Sequence, residues 1–348
     1  MNPCTQEGGQ PYPVFPKWAL EHTPSREAGV SENAENAIRV KACSFIDEFG
    51  SSKLRFPRVT CGTAAVFFHR FYARHAHTLE QNDTRENALA CLFLAGKAMG
   101  TVVKMRNFCN LYYEYKAETG GTGMIAAGVT LESKEARRFW DMIARRETTI
   151  MEAIEFNLWV EHPYRYLFAL LRHKVLPIIG AEMCKAIARD GYDLVKGSFL
   201  TNLCISYSPQ EIAVGVAHML SGEYDFKIPQ ASPHVDWFAE LCPEMKRKDI
   251  SRISGSILQA SNSQTRTKVK KNKASTRIHS VPKSDPHSRQ RHHQANTPTL
   301  KNHHKSYFTH TSNPANSNPN HNQTPQMRAR NRKRHKSNDS TRAPDSAP

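Results

Sequence analysis

The sequence predicts an all-α protein with two successive five-helix units and a disordered C-terminal tail. Apolar residues recur at helical spacing from about residue 32 to residue 260, and segments that alternate as β-strands do are almost absent. Pro163 divides this region into two parts with about five helical segments each. Near the C-terminus apolar residues become sparse and cations accumulate. We expect an N-terminal extension at 1–31, helical units at 32–160 and 161–261, and a tail at 262–348.

The first unit begins with three predicted helices. The apolar stripe of the first consists of Ala34, Ala37, Ile38, Ala42, Phe45, Ile46 and Phe49. Gly50 ends this helix, and a wide apolar face then runs from Val59 to His75. The segment Ala88 to Gly96 is apolar without a break, which indicates a helix buried on all sides. We expect this third helix to form the centre of a bundle.

Two more helices, at Lys104–Ala117 and Lys134–Phe156, complete the first unit. Between them, the segment from Glu118 to Thr130 contains four glycines and is expected to be a flexible insertion. It has the composition of a nucleotide-binding loop, but no strand precedes it. No acidic residue follows it at the distance that a dinucleotide-binding βαβ unit requires.

The second unit follows Pro163. Its helices are predicted at Tyr164–Lys174, Ala181–Tyr207, Pro209–Ser221, Val235–Leu241 and Pro243–Gln259. The helix at Pro209 has the strongest start signal, because Ser208 suits the N-cap, Pro209 the first helical position and Glu211 the capping box. The two units share little sequence identity.

The net charge of +16 comes from the tail. Residues 1–250 contain 29 Lys and Arg against 29 Asp and Glu, whereas residues 251–348 contain 19 against 3. The tail has too few large apolar residues to offset the entropy of ordering, so we predict disorder from residue 262 onwards. Its charge alone would attract RNA in a salt-dependent, sequence-independent way.

One run in the tail is a candidate nuclear-localisation signal and predicts a nuclear protein. Its cations are Arg328, Arg330, Arg332, Lys333, Arg334 and Lys336. Clustered Lys and Arg in a disordered segment suit both import receptors and nucleic acid. Nine of the 17 histidines also lie in the tail, without the spacing of a zinc site.

Several classes of protein are disfavoured. The eight cysteines include no CxxC pair and are expected to be buried thiols in a reducing compartment. No apolar run approaches the ~18 residues of a membrane span. Motifs of zinc proteases, serine hydrolases, P-loop NTPases and di-iron bundles do not occur. We therefore expect a protein that is not an enzyme, with no metal site, no cofactor and no membrane partner.

Two charged residues do not fit the helices in which they lie. Lys97 ends the apolar run "ALACLFLAGK", and Glu147 lies within an apolar stripe. A carboxylate there costs stability unless it is paired. Lys97 could satisfy the carbonyls that end its helix while Glu147 faces solvent near Arg146. Alternatively, the two charges face each other across a groove and are presented to a partner.

Three segments of the first part of the chain resemble the cyclin box. They are "FFHRFYARH" (Phe67 to His75), "CLFLAGK" (Cys91 to Lys97) and "IEFNLWVEHPYRYL" (Ile154 to Leu167). "TPSREAG" near the N-terminus and "SYSPQEIAVGVAHML" in the second unit extend the resemblance. It covers about residues 15 to 260, and the family is that of the transcription-type cyclins K and T.

The resemblance implies two tandem five-helix cyclin folds and a heterodimer with a cyclin-dependent kinase. It implies that Lys97 reaches main-chain carbonyls of the kinase helix that carries the active-site Glu, and that Glu147 shares this task. Met151, Phe156 and Leu158 match apolar positions that fill the groove. Such a cyclin would activate a kinase that phosphorylates the C-terminal domain of RNA polymerase II and so promote transcription elongation.

Some alternatives stay open at this point. Most cyclins have Val-Glu-Glu after this Lys, whereas Ala98, Met99 and Gly100 follow here, so a divergent scaffold without kinase activation is one alternative. A two-repeat DNA-binding factor of the TFIIB type is another. That class needs an N-terminal zinc ribbon and a basic folded part, but only Cys4 precedes Cys43 and the folded part is neutral. The sequence "VEHPY" favours a cyclin K partner kinase, and the His-rich tail favours a cyclin T partner kinase.

Overall fold

The structure is a computed structural model, which describes residues 14–77, 83–119, 133–230 and 232–278, with side chains described as far as residue 262. These residues form helices joined by turns and contain no β-strand, which confirms the all-α prediction. The candidate nuclear-localisation signal and most of the Gly-rich insertion lie outside the described residues.

The first unit has the five helices that were predicted. Two short helices, α1 (Lys17–Glu21) and α2 (Pro24–Glu27), precede it. Its own helices are α3 (Glu32–Ser52), α4 (Arg58–Tyr72), α5 (Thr84–Ala98), α6 (Met105–Glu118) and α7 (Lys134–Ala153).

The second unit runs from α8 to α13. Its helices are α8 (Pro163–Leu170), a π-helical turn (Leu171–Val175), α9 (Leu176–Ile179), α10 (Ala181–Ser198), α11 (Leu203–Ser206), α12 (Pro209–Glu223) and α13 (Arg247–Ile278). The predicted start of α12 is confirmed, because the Ser208 hydroxyl accepts from the Glu211 backbone N–H and the Glu211 carboxylate accepts from that of Ser208.

Three predicted boundaries in the second unit need correction. The helix predicted at Ala181–Tyr207 is broken after Ser198, where the chain turns so that Phe199 and Leu200 enter the core. The segment Val235–Leu241 forms separate turns rather than a helix. The last helix begins at Arg247 rather than at Pro243, and the Asp249 carboxylate in its first turn accepts from the Lys246 N–H at 3.3 Å.

The last helix also extends into the predicted tail. Helix α13 continues to Ile278, past residue 262, where the disordered tail was predicted to begin. The remainder of the predicted tail, from residue 279, lies outside the described residues.

Helix α5 is the centre of the first unit, as its unbroken apolar run predicted. It packs against α3, α4 and α7, and every residue from Asn87 to Gly96 is buried. The Asp83 carboxylate caps its N-terminus by accepting from the Glu86 N–H at 2.8 Å. Burial of each large apolar side chain stabilises the fold by roughly 1.5–3 kcal/mol, so this run is a major source of stability.

A buried ion pair on α3 connects the two units. Arg39 donates to Oε1 of Glu35 at 2.7 and 3.1 Å and to the carbonyl oxygen of Tyr72 at 2.9 Å. Its Nη1 lies 3.3 Å from Nδ1 of His69. Because a guanidinium group can only donate, Nδ1 accepts, and Nε2 of His69 donates to the carbonyl oxygen of Phe199 at 3.0 Å.

The same ion pair holds the N-terminal extension. Oε2 of Glu35 accepts from the Thr23 hydroxyl at 2.9 Å and from Nε of Arg26 at 3.1 Å. Ala34 and Ala37, which were predicted to belong to the buried stripe, are exposed instead. The stripe was assigned wrongly in this turn, because the face that carries the ion pair is the one that turns inwards.

We expect that replacing Gly215 by alanine will destabilise the second unit. A Cβ atom at this position of α12 would lie 2.5 Å from Cγ2 of Ile253 on α13, and Ile253 is fully buried. Relieving this contact requires the helices to separate, which should lower the free energy of unfolding by about 1–3 kcal/mol. Urea denaturation followed by circular dichroism measures the loss.

Gly222 provides the matched control on the same helix. A Cβ atom there meets nothing within 4 Å. Gly222→Ala should therefore leave stability unchanged or raise it by up to about 1 kcal/mol, because alanine favours a helix over glycine. Equal stabilities of the two variants would contradict the close packing of α12 on α13.

Candidate partner interface

Lys97 and Glu147 contact each other across the edge of α5 and α7. Nζ of Lys97 donates to Oε1 of Glu147 at 2.7 Å and to Oε2 at 2.9 Å. The Glu147 side chain is 10% exposed, whereas that of Lys97 is 48% exposed. The carboxylate is thus held inside the apolar stripe by a cation that stays accessible to a partner.

The contacts decide between the two interpretations of the sequence. Lys97 binds Glu147 rather than the carbonyls that end α5. Arg146 does not compete for this carboxylate, because it pairs with Glu86 at 2.8 Å. The two charges face each other as predicted, and their presentation to a partner stays a prediction.

The end of α5 positions Lys97. Its Nζ lies 4.7 Å from the centre of the Phe93 ring, a distance at which a cation is attracted to an aromatic face. Gly100 then adopts a φ of +69°, which ends the helix just beyond Lys97. Ammonium has three donors, and Glu147 takes two of them, so a further donor can serve a carbonyl of a partner.

The three apolar residues of the candidate interface differ in exposure. Met151 and Leu158 are half-buried against the core. Phe156 is 65% exposed, because α7 ends at Ala153 rather than at Phe156 as predicted. Phe156 has a φ of +56°, and its N–H donates to the Met151 carbonyl at 2.8 Å. The segment after α7 thus exposes a large apolar side chain nine residues after Glu147 in the sequence.

Arg70 of α4 and Arg74, just after that helix, hold this segment and were not among the predicted site residues. Nη1 of Arg70 donates to the carbonyls of Asn157 at 3.0 Å and of Trp159 at 3.3 Å. Nη1 of Arg74 donates to the carbonyl of Ala153 at 2.9 Å. The signal for Arg70 was present in the sequence, since a cation on an otherwise apolar helix needs acceptors.

The described residues contain neither a group of side chains suited to a metal ion nor a disulfide. No three His, Cys, Asp or Glu side chains among them are grouped so that they could hold a metal ion. None of the seven described cysteines forms a disulfide, and burial raises the pKa of the Cys61 thiol to about 12. No helix in the described part of the chain is long and apolar enough to span a membrane.

Comparison with known proteins indicates the family. No protein-family model matches the chain. Cyclin-T1-5 of Arabidopsis thaliana is 28% identical over 242 residues, which cover 69% of this chain and 39% of the relative. Cyclin pch1 of Schizosaccharomyces pombe is 30% identical over 200 residues, which cover 58% of this chain and 54% of the relative. The chain is similar to T-type cyclins. This confirms the resemblance to transcription-type cyclins that the three sequence motifs indicated.

The fold of this cyclin-like chain agrees with its sequence similarity. The crystal structure of the yeast RNA Pol II CTD kinase CTDK-1 complex contains a chain that superposes with a TM-score of 0.54. Its sequence identity is 16%, and the match covers 71% of this chain and 72% of that chain. The two helical units are cyclin folds, as predicted. The cyclin-like chain spans about half or less of the length of the curated relatives named above.

Proposed function

We propose that this protein is the regulatory subunit of a transcriptional cyclin-dependent kinase and is not itself an enzyme. The observation that carries the proposal is the Lys97–Glu147 pair, which joins α5 to α7 while leaving the lysine accessible. The partner would be the kinase, as a heterodimer. The kinase's substrate would be the C-terminal domain of RNA polymerase II, in agreement with the similarity to T-type cyclins and with the fold shared with a chain of the RNA Pol II CTD kinase CTDK-1 complex.

The chemistry of the surface suits one face of a kinase helix. Met151 and Leu158 are half-buried and Phe156 is exposed, so a docked helix could bury further apolar area against all three. Lys97 would donate to carbonyls of that helix and fix its register, as buried polar anchors do in other interfaces. A helix held in this way keeps the kinase's active-site Glu paired with the Lys that orients ATP.

Further parts of the proposal depend on the sequence alone. The candidate import signal at Arg328–Lys336 supports a nuclear location, and the charge of the tail supports contact with RNA. The similarity to T-type cyclins favours a T-type partner kinase over a K-type one. A kinase regulator of this kind would promote transcription elongation.

The combined substitution Lys97→Glu and Glu147→Lys tests the proposal. The exchange retains an ion pair between α5 and α7, so the chain should fold, but it presents the opposite charge to a partner. We expect kinase binding to weaken by about 100-fold, since disrupting a buried interfacial charge costs about 2–5 kcal/mol. Wild type and variant are used to capture kinases from nuclear extract. Each recovered complex is then tested for phosphorylation of the polymerase repeat.

A second exchanged pair is the matched control. Lys185 and Glu182 form an exposed ion pair on α10 of the second unit, so exchanging their charges should leave kinase capture unchanged. If the wild type and the Lys97–Glu147 exchange recover the same active kinase, this surface is not the kinase-binding site. Recovery of no kinase by the wild type would exclude kinase regulation.

A further inference from the structure

The loop between α5 and α6 leaves two apolar side chains exposed beside the candidate interface. Met99 is 37% exposed and Val102 is 68% exposed. Both follow Lys97 within one short loop, so they border the proposed kinase contact. Neighbouring apolar side chains that remain in water often mark a site of interaction with another protein.

The backbone of this loop is fixed, so the exposure does not result from a loosely attached segment. The Thr101 hydroxyl lies 3.2 Å from that of Thr60, which is fully buried in α4. A Cβ atom at Gly96 would lie 3.2 Å from the Thr101 carbonyl oxygen and 2.9 Å from the Phe56 ring. The loop thus packs directly on α4 and α5, and its anchored position at Thr101 lies between the two exposed apolar residues.

The charges around the loop are positive. Lys104 and Arg106 are exposed, and residues 98–113 contain no Asp or Glu. The nearest carboxylate of the candidate interface, that of Glu147, is already paired with Lys97. Acidic side chains on a partner surface that contacts this loop therefore strengthen binding, and basic side chains weaken it.

We propose that Met99, Val102, Lys104 and Arg106, here called the α5–α6 edge, contact an apolar segment of the kinase that carries acidic residues. The inference rests on the proposed function, because the edge adjoins the Lys97–Glu147 pair. The apolar side chains supply contact area, and the two cations select kinases whose matching segment is acidic. The edge thereby determines which kinase the protein accepts.

Substitutions of opposite charge at Val102 test the edge. The probes are purified transcriptional cyclin-dependent kinases, including any kinase captured by the wild-type chain, and binding is measured by biolayer interferometry with the full chain. Val102→Glu should weaken binding by about tenfold, and Val102→Lys by about threefold or less. Arg106→Glu should also weaken binding, with a smaller effect at high salt because exposed charges are screened.

Val235 is the matched control position, since it is an exposed valine in the second unit. Val235→Glu and Val235→Lys should bind like the wild type. Tighter binding by Val102→Glu than by Val102→Lys would overturn the proposal, and so would wild-type binding by both. If the Lys97–Glu147 exchange abolishes binding while both Val102 variants bind normally, the α5–α6 edge does not contact the kinase. The proposed function is retained in that case. If the wild type binds none of the kinases, the proposed function and the kinase contact of the α5–α6 edge are both wrong.

Discussion

Replacing Arg39 by methionine is expected to lower the free energy of unfolding by about 3–5 kcal/mol, since the buried Glu35 carboxylate loses its buried cation and keeps only the ion pair with Arg26. Glu35 is 1% exposed and would lose both of its bonds from Arg39. The Tyr72 carbonyl and Nδ1 of His69 would lose a donor at the same time. Urea denaturation at neutral pH measures the change.

The combination Glu35→Gln and Arg39→Met should cost less than Arg39→Met alone, because it removes the buried carboxylate together with its buried cation. Glu161 and Arg165 form a matched control with the same i,i+4 spacing, but the Arg165 side chain is 70% exposed. Arg165→Met should therefore change stability by less than about 1 kcal/mol. Similar losses of stability from Arg39→Met and Arg165→Met would show that burial of the Arg39–Glu35 pair does not add to the free energy of unfolding.

Features that depend on neighbouring residues were predicted well. The unbroken apolar run identified α5 as the buried central helix, and Ser208 with Glu211 identified the start of α12. The position of Glu147 within an apolar stripe indicated a need for a partner, and Lys97 is that partner. In each case the physical cause lies within one helix, where spacing alone shows which residues share a face.

Features that depend on distant parts of the chain were missed. Burial of Arg39 and Glu35 was not predicted, because several of their acceptors and donors come from other elements. The pattern gave no sign that α7 ends at Ala153, since the turn requires positive φ at Glu155 and Phe156 and neither residue favours it. Helical periodicity therefore located the candidate interface but not the exposure of Phe156.

Acidification is expected to destabilise the protein through three histidines. Burial, with a smaller contribution from Arg39, lowers the pKa of His69 from 6.5 to about 3. Burial likewise lowers the pKa of His77 to about 3 and that of His162 to about 4. The unfolded chain therefore binds more protons below pH 6.5, so stability is complete above that pH, falls as the pH falls, and levels off below about pH 3–4.

The expected loss is large enough to measure. Each histidine that stays neutral in the folded chain should lose about 2 kcal/mol of stabilisation at pH 5, since one pH unit corresponds to about 1.4 kcal/mol. Together the three should lower the free energy of unfolding by about 6 kcal/mol, which approaches the whole stability of many domains. Urea denaturation at pH 7.5 and pH 5.0, followed by tryptophan fluorescence, measures the difference.

A glutamine at position 69 separates the effect of this histidine from the others. Glutamine can still donate to the Phe199 carbonyl and accept from Arg39, but it does not titrate, so His69→Gln should reduce the acid-induced loss by about 2 kcal/mol. His218→Gln, at an exposed position on α12, should leave the loss unchanged. If His69→Gln shows the full wild-type loss of stability, then His69 is protonated in the folded chain at pH 5.0, or its pKa is the same in the folded and unfolded chains. Protonation of His69 in the folded chain would contradict the assignment of Nδ1 as the acceptor from Arg39, because a charged imidazole has no acceptor nitrogen.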